Sequence, residues 1–503
     1  MRAQTQHAIL AIMELAVTTG TIEAIVPQDL EMEAHNTLWM ETKPTELTLL
    51  KLIPSIPAKQ IEHEYSKVTS YGDARGSGFF GERSLPQNTA LGTERVVNNI
   101  RLMGEIGSTF LLAELEKTQK VLGTSGASSI ERRALRLNTL RKKNRNLYKS
   151  DTSKIRQGTG GVRFKGLEQL IREGTDGTTG TSPFGVHVID MRGLPLTADT
   201  IRDRNAEVVN LFATMTTLLM DGFARTDFEK SLDPATRLPM PINMTPYMLG
   251  NAVGGLQTQG GIVKFYTDNT LSPRWYGGQY VAAAQEGGPS TIPTATAAAG
   301  AVGGGRTSEW DSSSAGEIFW VVTESVDELE GLGKRVPATA ATYTTVAAGQ
   351  EVTLTLTPGN ALADSFKVYR GSDADAADTD AWFIFEVANS GGGGAVTAYD
   401  DNLERPNTSR AFGLNIASMA AEAMGRNSPD AYYSAKEKSA EFFQMSDDPV
   451  NNTIAVAELG PSMGILALAS VLAEIDRPLM YSACSPECRN PFQNFVFKNI
   501  GRS

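Results

Sequence analysis

Cysteine is almost absent: the 503 residues hold two, Cys484 and Cys488, too few for a disulfide-stapled scaffold. Histidine is nearly as scarce, with His7, His35, His63 and His187 the whole supply, thin material for metal or acid–base chemistry. No apolar run approaches the roughly 20 residues that a bilayer-spanning helix needs. The stretch Ala8–Val17 is broken by Glu14, is preceded only by Arg2 and lacks a small-residue cleavage site, so it does not read as a signal peptide. The chain is expected to be cytosolic when made, with no membrane role. An excess of positive charge is missing too: 46 basic residues against 57 acidic ones give −11, no signature of a nucleic-acid binder.

What is present is ordinary in bulk and uneven along the chain. The length allows two to four domains with at least one sizeable core. From Glu317 to Arg405 there are 15 acids and 5 bases, a local balance of −10, so the rest of the chain is close to neutral. One segment carries nearly all the excess charge.

Residues 1–62 mix short apolar runs with Pro27, Pro44, Pro54 and Pro57, which predicts an arm lying along another surface. Residues 63–108 predict an extended hairpin: Tyr65–Tyr71 as one strand, Glu94–Glu105 as its return, and a glycine-rich tip with Phe79 and Phe80 between them. A lone hairpin is marginal in water and needs a partner surface. Ser128 and Glu131 form a capping box before an apolar repeat from Ile130 to Tyr148, predicting a helix over 129–149. Thr197–Met220 reads as a second amphipathic helix whose latter half is buried. Residues 281–316, rich in Ala, Gly, Ser and Thr, read as a linker. The period then switches to two. Ile318–Thr323, Glu351–Leu356, Ser365–Arg370, Trp382–Val387 and Ala395–Tyr399 are strands spaced like those of an immunoglobulin-like sandwich over 317–405. Residues 406–503 return to mixed α/β patterning.

The sharpest enzyme signal is Gly460-Pro461-Ser462-Met463-Gly464, between a strand-like run, Thr453–Leu459, and a helix-like run, Ile465–Leu472. That is the setting of a nucleophile elbow. The order nucleophile, acid, histidine then fails, because no histidine follows His187. The plain reading, a Gly-Pro turn, wins over a serine hydrolase centred on Ser462. Gly158–Gly161 and Gly303–Gly305 lack the Gly-Lys-Ser/Thr of a phosphate-binding loop. Asp373, Asp375, Asp378 and Asp380 do not fit an EF-hand, since Asp378 and Ile384 stand where glycine and glutamate are needed; a solvated acidic loop is the main reading, with an irregular calcium site the lesser alternative. Three residues separate the two thiols, one more than in a redox or zinc pair. No catalytic, metal or cofactor site is expected. The basic run from Arg132 to Arg156 has Asp151 as its single acid. It has no aromatic platform, so it reads as a helix paired with a neighbouring subunit's acids or loosely facing DNA.

Several segments together resemble the major capsid proteins of tailed double-stranded DNA bacteriophages, which share the Hong Kong 97 fold. They are His63–Gly72 with the Gly-Phe tip and Ser84–Gln87, Leu147–Asp151 followed by Phe164–Leu167, Val253–Gly261 to Asp268, Lys367–Arg370, and Arg477–Tyr481 through Lys498–Gly501. The resemblance implies an α+β fold with N-terminal arm (1–62), extended loop (63–108), spine helix and peripheral domain (109–185), axial domain (186–280 and, with peripheral parts, 406–503), a linker (281–316) and an immunoglobulin-like insertion (317–405). It implies a structural subunit, not an enzyme, that self-assembles into hexamers and pentamers of an icosahedral head in the host cytoplasm. Scaffold, portal, a decoration protein on the insert and packaged DNA are the implied partners. Tyr65, Tyr71, Phe79, Phe80, Arg132, Arg133, Arg136, Arg141 and Lys142 are the expected inter-subunit contacts. Lys67 is the single lysine of the loop and nothing marks an acceptor, so no cross-link is expected. The start at Met1 predicts no maturation cleavage and a separate scaffold. Deleting 317–402 is expected to leave assembly intact. A surface adhesin is the other rival, and it lacks a leader or anchor.

Overall fold

The computed structural model describes residues 45–501 apart from 71–91, 108, 111–126, 151, 153–154, 157–159, 162, 175–180, 183–184, 211–214, 233–253, 286–287, 304–305, 313, 327–328, 338–343, 373–376, 390–393, 417–453, 461–462, 468–473 and 477. It is mixed α/β, with more strand than helix.

Two sheets and a long helix make the body. The helix, Ala127–Lys149, begins two residues before the predicted start. Leu137, Leu147 and Tyr148 are its buried stripe. It packs on one face of a five-stranded sheet whose longest strand, Pro478–Cys488, pairs with Arg101–Ile106 on one edge and with Ile454–Glu458 and Gly464–Ala467 on the other. The outermost strand, Ser55–Pro57, runs parallel to Ile454–Glu458. The second sheet has six strands in the order Val188–Asp190, Phe495–Ile500, Ser409–Leu414, Thr217–Met220, Gly261–Thr267, Gly255–Thr258. Gly261, at φ 118°, turns the last two into a hairpin.

Four expectations are corrected here. The helix read over Thr197–Met220 ends at Asn210, and Thr217–Met220 is a central strand buried on both faces. The return arm Glu94–Glu105 is two strands: Gly92–Asn99 pairs with Glu62–Ser70, whereas Arg101–Ile106 leaves the hairpin and joins the five-stranded sheet. The supposed arm is not free-standing from residue 45 onward. Leu49 is fully buried in the main core, the Thr48 hydroxyl donates to the Thr267 carbonyl at 2.8 Å, and Asn269 N–H donates to Thr45 O at 3.0 Å. Finally, the supposed linker contains the strand Thr294–Ala301, paired along its whole length with Gln350–Thr357.

That strand belongs to a two-sheet β-sandwich. Thr294–Ala301, Gln350–Thr357 and Val396–Asp400 form one sheet. Gly316–Val326, Ser365–Gly371 and Trp382–Ala388, with short flanking strands, form the other. Trp320, Val322, Val352, Leu354, Leu356, Phe366 and Val368 fill the space between them. An ion pair fixes the base of this core: Arg370 Nη1 donates to both Asp400 oxygens at 2.7 and 2.9 Å, and Trp320 Nε1 donates to the same carboxylate at 2.8 Å. The outer face of the larger sheet is also buried: Phe319, Val321 and Tyr369 pack there with Tyr280 and Ala381. Burial on both faces explains why Phe319-Trp320-Val321-Val322 reads as a continuous apolar run.

Candidate assembly surface

The body is held together by two buried polar centres on the long helix. At one, the Asp268 carboxylate is fully buried and accepts from Leu49 N–H (3.3 Å), the Asn144 amide (2.9 and 3.2 Å), the Tyr148 hydroxyl (3.1 Å), and the Thr270 N–H (3.0 Å) and hydroxyl (2.6 Å). Burial, with Asp268 next, holds the Tyr148 hydroxyl well above its ordinary pKa. At the other, buried Lys143 donates to Glu458 at 2.5 Å, tying helix to sheet.

These centres leave the opposite face of the five-stranded sheet open. Residues directly opposite one another in a sheet share a face. Ile106 stands opposite Leu479, Gly104 opposite Tyr481, Leu466 opposite Leu479 and Gly464 opposite Tyr481. Glu105, on the alternate face, pairs with Lys142 of the helix. The far face is therefore apolar, with Leu102 73 %, Ile106 52 % and Leu466 51 % exposed. Tyr481 flattens it: its ring lies so close over Gly464 that a Cβ there would meet it at 2.3 Å.

Among the described residues, the hairpin strands Glu62–Ser70 and Gly92–Asn99 are anchored to the body at their base. Tyr65 is buried against the end of Pro478–Cys488, and Asn98 Nδ2 donates to the Pro486 carbonyl at 2.7 Å. His63 Nε2 lies 3.4 Å from the buried Glu487 carboxylate. Further out, Lys67–Glu94 (2.8 Å) and Arg95–Glu64 are cross-strand pairs, and Val97 is exposed.

Sequence reasoning expected nine contact residues, and the structure divides them. Tyr65 faces the chain's own body, where burial raises its hydroxyl pKa. Arg141 donates to both Glu46 oxygens at 3.0 and 3.1 Å, and Lys142 is spent on Glu105. Those three also make contacts within their own subunit. Arg132 and Arg136 are exposed, and Arg133 lies in the same helix. Tyr71, Phe79 and Phe80 lie outside the described residues. The residues missed were Leu102, Ile106, Leu466, Leu479 and Tyr481. Alternation within Arg101–Ile106 was the available signal, hidden because that segment was read as the return of the hairpin.

The rejected chemistry can also be placed. Gly460 turns the chain at φ 84°, but Gly464–Ala467 is a strand where an elbow needs a helix. Pro461 and Ser462 lie outside the described residues. Cys484 and Cys488 are buried free thiols whose pKa values burial pushes up to about 11 and about 12. Asp378 pairs with Arg335 at 2.9 Å and Asp380 accepts from Ala377 N–H at 3.0 Å. Among the described residues no cluster of His, Cys, Asp and Glu could hold a metal, and no helix is long and apolar enough to cross a membrane.

No family model and no curated protein matches the chain. Solved structures do. The chain is similar to the capsid of a native GTA particle, at 8 % identity and TM-score 0.39 over 94 % of both chains. It is also similar to a structure from Mycobacterium phage Ogopogo, at 9 % identity and TM-score 0.37 over 94 % of this chain and 96 % of that one. A third is from Gordonia phage Cozz, at 10 % identity and TM-score 0.37 over 95 % and 92 %.

Proposed function

We propose that this chain is a structural shell subunit, the major capsid protein of a tailed-phage particle, whose copies assemble into a closed icosahedral head around double-stranded DNA. The observation that carries the reading is the open apolar face of the five-stranded sheet. Covered by a helix on one side and, among the described residues, only toward its Ala457–Glu487 end on the other, it leaves Leu102, Ile106 and Leu466 in water. Such a face marks an interface. A second copy is the occupant, because the same chain carries a two-stranded ribbon, a form marginal by itself in water, that needs a surface to lie on. Reciprocal contacts of this kind, repeated by symmetry, make a shell of individually modest interfaces.

The remaining roles follow from position. The ribbon overlies a neighbour, residues 1–44 clasp others, Arg132 and Arg136 meet acids of a neighbour or packaged DNA, and the six-stranded sheet lies toward the capsomer centre. The acidic sandwich, immunoglobulin-like in strand spacing, faces outward, where its charge keeps it clear of DNA and repels like particles. A scaffold, a portal and a decoration protein are the expected partners, with assembly in the host cytoplasm.

Electron microscopy of the chain co-expressed with its scaffold tests the reading. The wild type should form closed shells. Leu102→Asp with Ile106→Asp should remain folded by circular dichroism yet sediment as a small species. Shells of normal size and yield from the double variant would overturn the assignment of this face. An ester-hydrolysis assay comparing wild type with Ser462→Ala should find no activity in either.

A further inference from the structure

The ribbon strand Glu62–Ser70 turns alternate side chains to water and to the body. Glu62, Glu64 and Ser66 are exposed, whereas Tyr65 is buried and His63 and Lys67 are half-buried. His63 stacks on Tyr65 with ring centres 6.3 Å apart, and its Nε2 stands 3.4 Å from Glu487 Oε1, near the end of the strand Pro478–Cys488. The Glu487 side chain is fully buried, and its Oε2 accepts from Arg489 Nε at 3.1 Å. Among the described residues, neither His63 Nε2 nor Glu487 Oε1 makes a hydrogen bond, and both atoms are shut off from water. Two unsatisfied atoms of complementary chemistry therefore face each other across the joint between ribbon and body.

A buried carboxylate oxygen without a donor is costly, and a donor on an ionised side chain answers it best. A neutral imidazole offers Nε2 as a donor in only one of its tautomers, while an imidazolium donates from both nitrogens. The other charged groups around the joint already have counterparts. Arg489 serves Glu487, Lys67 meets Glu94 at 2.8 Å, and Lys165 meets Glu173 of the helix Leu167–Gly174 at 2.7 Å. Arg95 holds Glu64 on the outward side. The Tyr65 hydroxyl and the Cys488 thiol keep their protons, because burial raises both. Histidine is the kind of side chain that gains charge between about pH 8 and about pH 5, and His63 is the one at this joint.

We propose that His63 and Glu487 form an acid-closed latch, in which a proton taken up by His63 joins Nε2 to Oε1 and fastens the base of the ribbon to the five-stranded sheet. Closing brings 3.4 Å down to about 2.8 Å, the length of a charge-assisted hydrogen bond. Asn98, directly opposite His63 on the return strand, already donates to the Pro486 carbonyl, so a closed latch grips both strands side by side. Loss of the proton leaves the base held by Tyr65 and Asn98. The latch is a property of the subunit. Its consequence for a shell rests on the assembly reading above, where it sets the angle at which the ribbon leaves its own body to overlie a neighbour.

Amide hydrogen exchange over Glu62–Ser70 in the purified full-length chain, kept as unassembled subunits, tests this. Wild type is compared with His63→Gln at each pH, so that the intrinsic effect of pH on exchange cancels. At about pH 5.5 the wild type should exchange about tenfold more slowly than the variant, and at about pH 8 the two should agree within about twofold. Burial keeps His187 neutral down to about pH 4, so it takes no part at either value. A second comparison needs no variant: within the wild type, exchange over Glu62–Ser70 relative to the core strand Phe495–Ile500 should slow on going from about pH 8 to about pH 5.5. Wild type no better protected than His63→Gln at about pH 5.5, or better protected by the same factor at both values, would overturn the latch. Because the readout is taken on subunits, that result leaves the shell reading standing, and a failure to form shells leaves the latch standing.

Discussion

His187 sits beside the six-stranded sheet, with its ring stacked on Phe495 at 4.9 Å and Nδ1 3.3 Å from the Asn494 carbonyl. Burial pushes its pKa down to about 4, the Asn494 contact opposing. An unfolded histidine titrates near about 6.5. Between those values the unfolded chain binds the extra proton, so stability falls as pH drops from about 6.5 toward about 4, by about 3 kcal/mol for this group. Above about pH 7 the contribution is complete. Urea unfolding of wild type and His187→Gln at about pH 7 and about pH 4.5 checks it: the wild-type midpoint should fall more than the variant's. Equal falls would remove His187 as the cause. At this scale the sequence was a poor guide. Asp268 organises the body through Leu49, Asn144, Tyr148 and Thr270, yet as a lone aspartate after a strand it looked like any turn residue. Asn144 and Tyr148, one helical turn apart, were the only local sign, and nothing local named their partner.

Elements were legible where one face of a strand meets water and illegible where neither does. Gln350–Thr357 and Ser365–Gly371 fall within a residue of their predicted spans, because threonines or a lysine alternate with core residues. Thr217–Met220 is buried on every side, so its apolar run matched a helix equally well. Thr294–Ala301 failed for the opposite reason: alanine, threonine and glycine give too little contrast, and composition alone suggested a linker. The charged helix lies within two residues of its predicted span. Lys143, one of the helix's eight cations, is buried on Glu458. Removing one member of such a pair leaves the other charged and dry, at about 3–5 kcal/mol. Lys143→Met should therefore lower stability by about that amount, while Lys143→Met with Glu458→Leu should recover most of it. Denaturant unfolding of the three proteins decides. A single variant within about 0.5 kcal/mol of wild type would show that the pair does not hold helix to sheet.

For the whole molecule, the question is whether the acidic sandwich is an appendage or part of the frame. Its contacts point to a docked module. Arg163 grips Glu386, Lys149 lies over Phe383, Gln279 bridges Trp382, and Arg192 and Arg405 reach Glu309 (2.9 Å) and Asp311 (3.3 Å). Most of these are polar and partly exposed, each worth little alone. Tyr276, before the module, and Arg410, after it, lie together, the guanidinium 4.8 Å from the ring, so a short linker can replace what stands between them. Two deletions then behave differently. Removing 317–402 leaves Thr294–Ala301 as a strand without Gln350–Thr357 beside it, an exposed edge that should aggregate. Removing 281–402 and joining the ends with a few glycines takes the whole module, and the chain should still close into shells, with some loss of thermal stability from the uncovered Tyr276 and Lys149. Electron microscopy and sedimentation of the two deletions separate the cases. If the longer deletion yields no shells while remaining soluble and folded, the sandwich is part of the assembling frame and not an ornament on it.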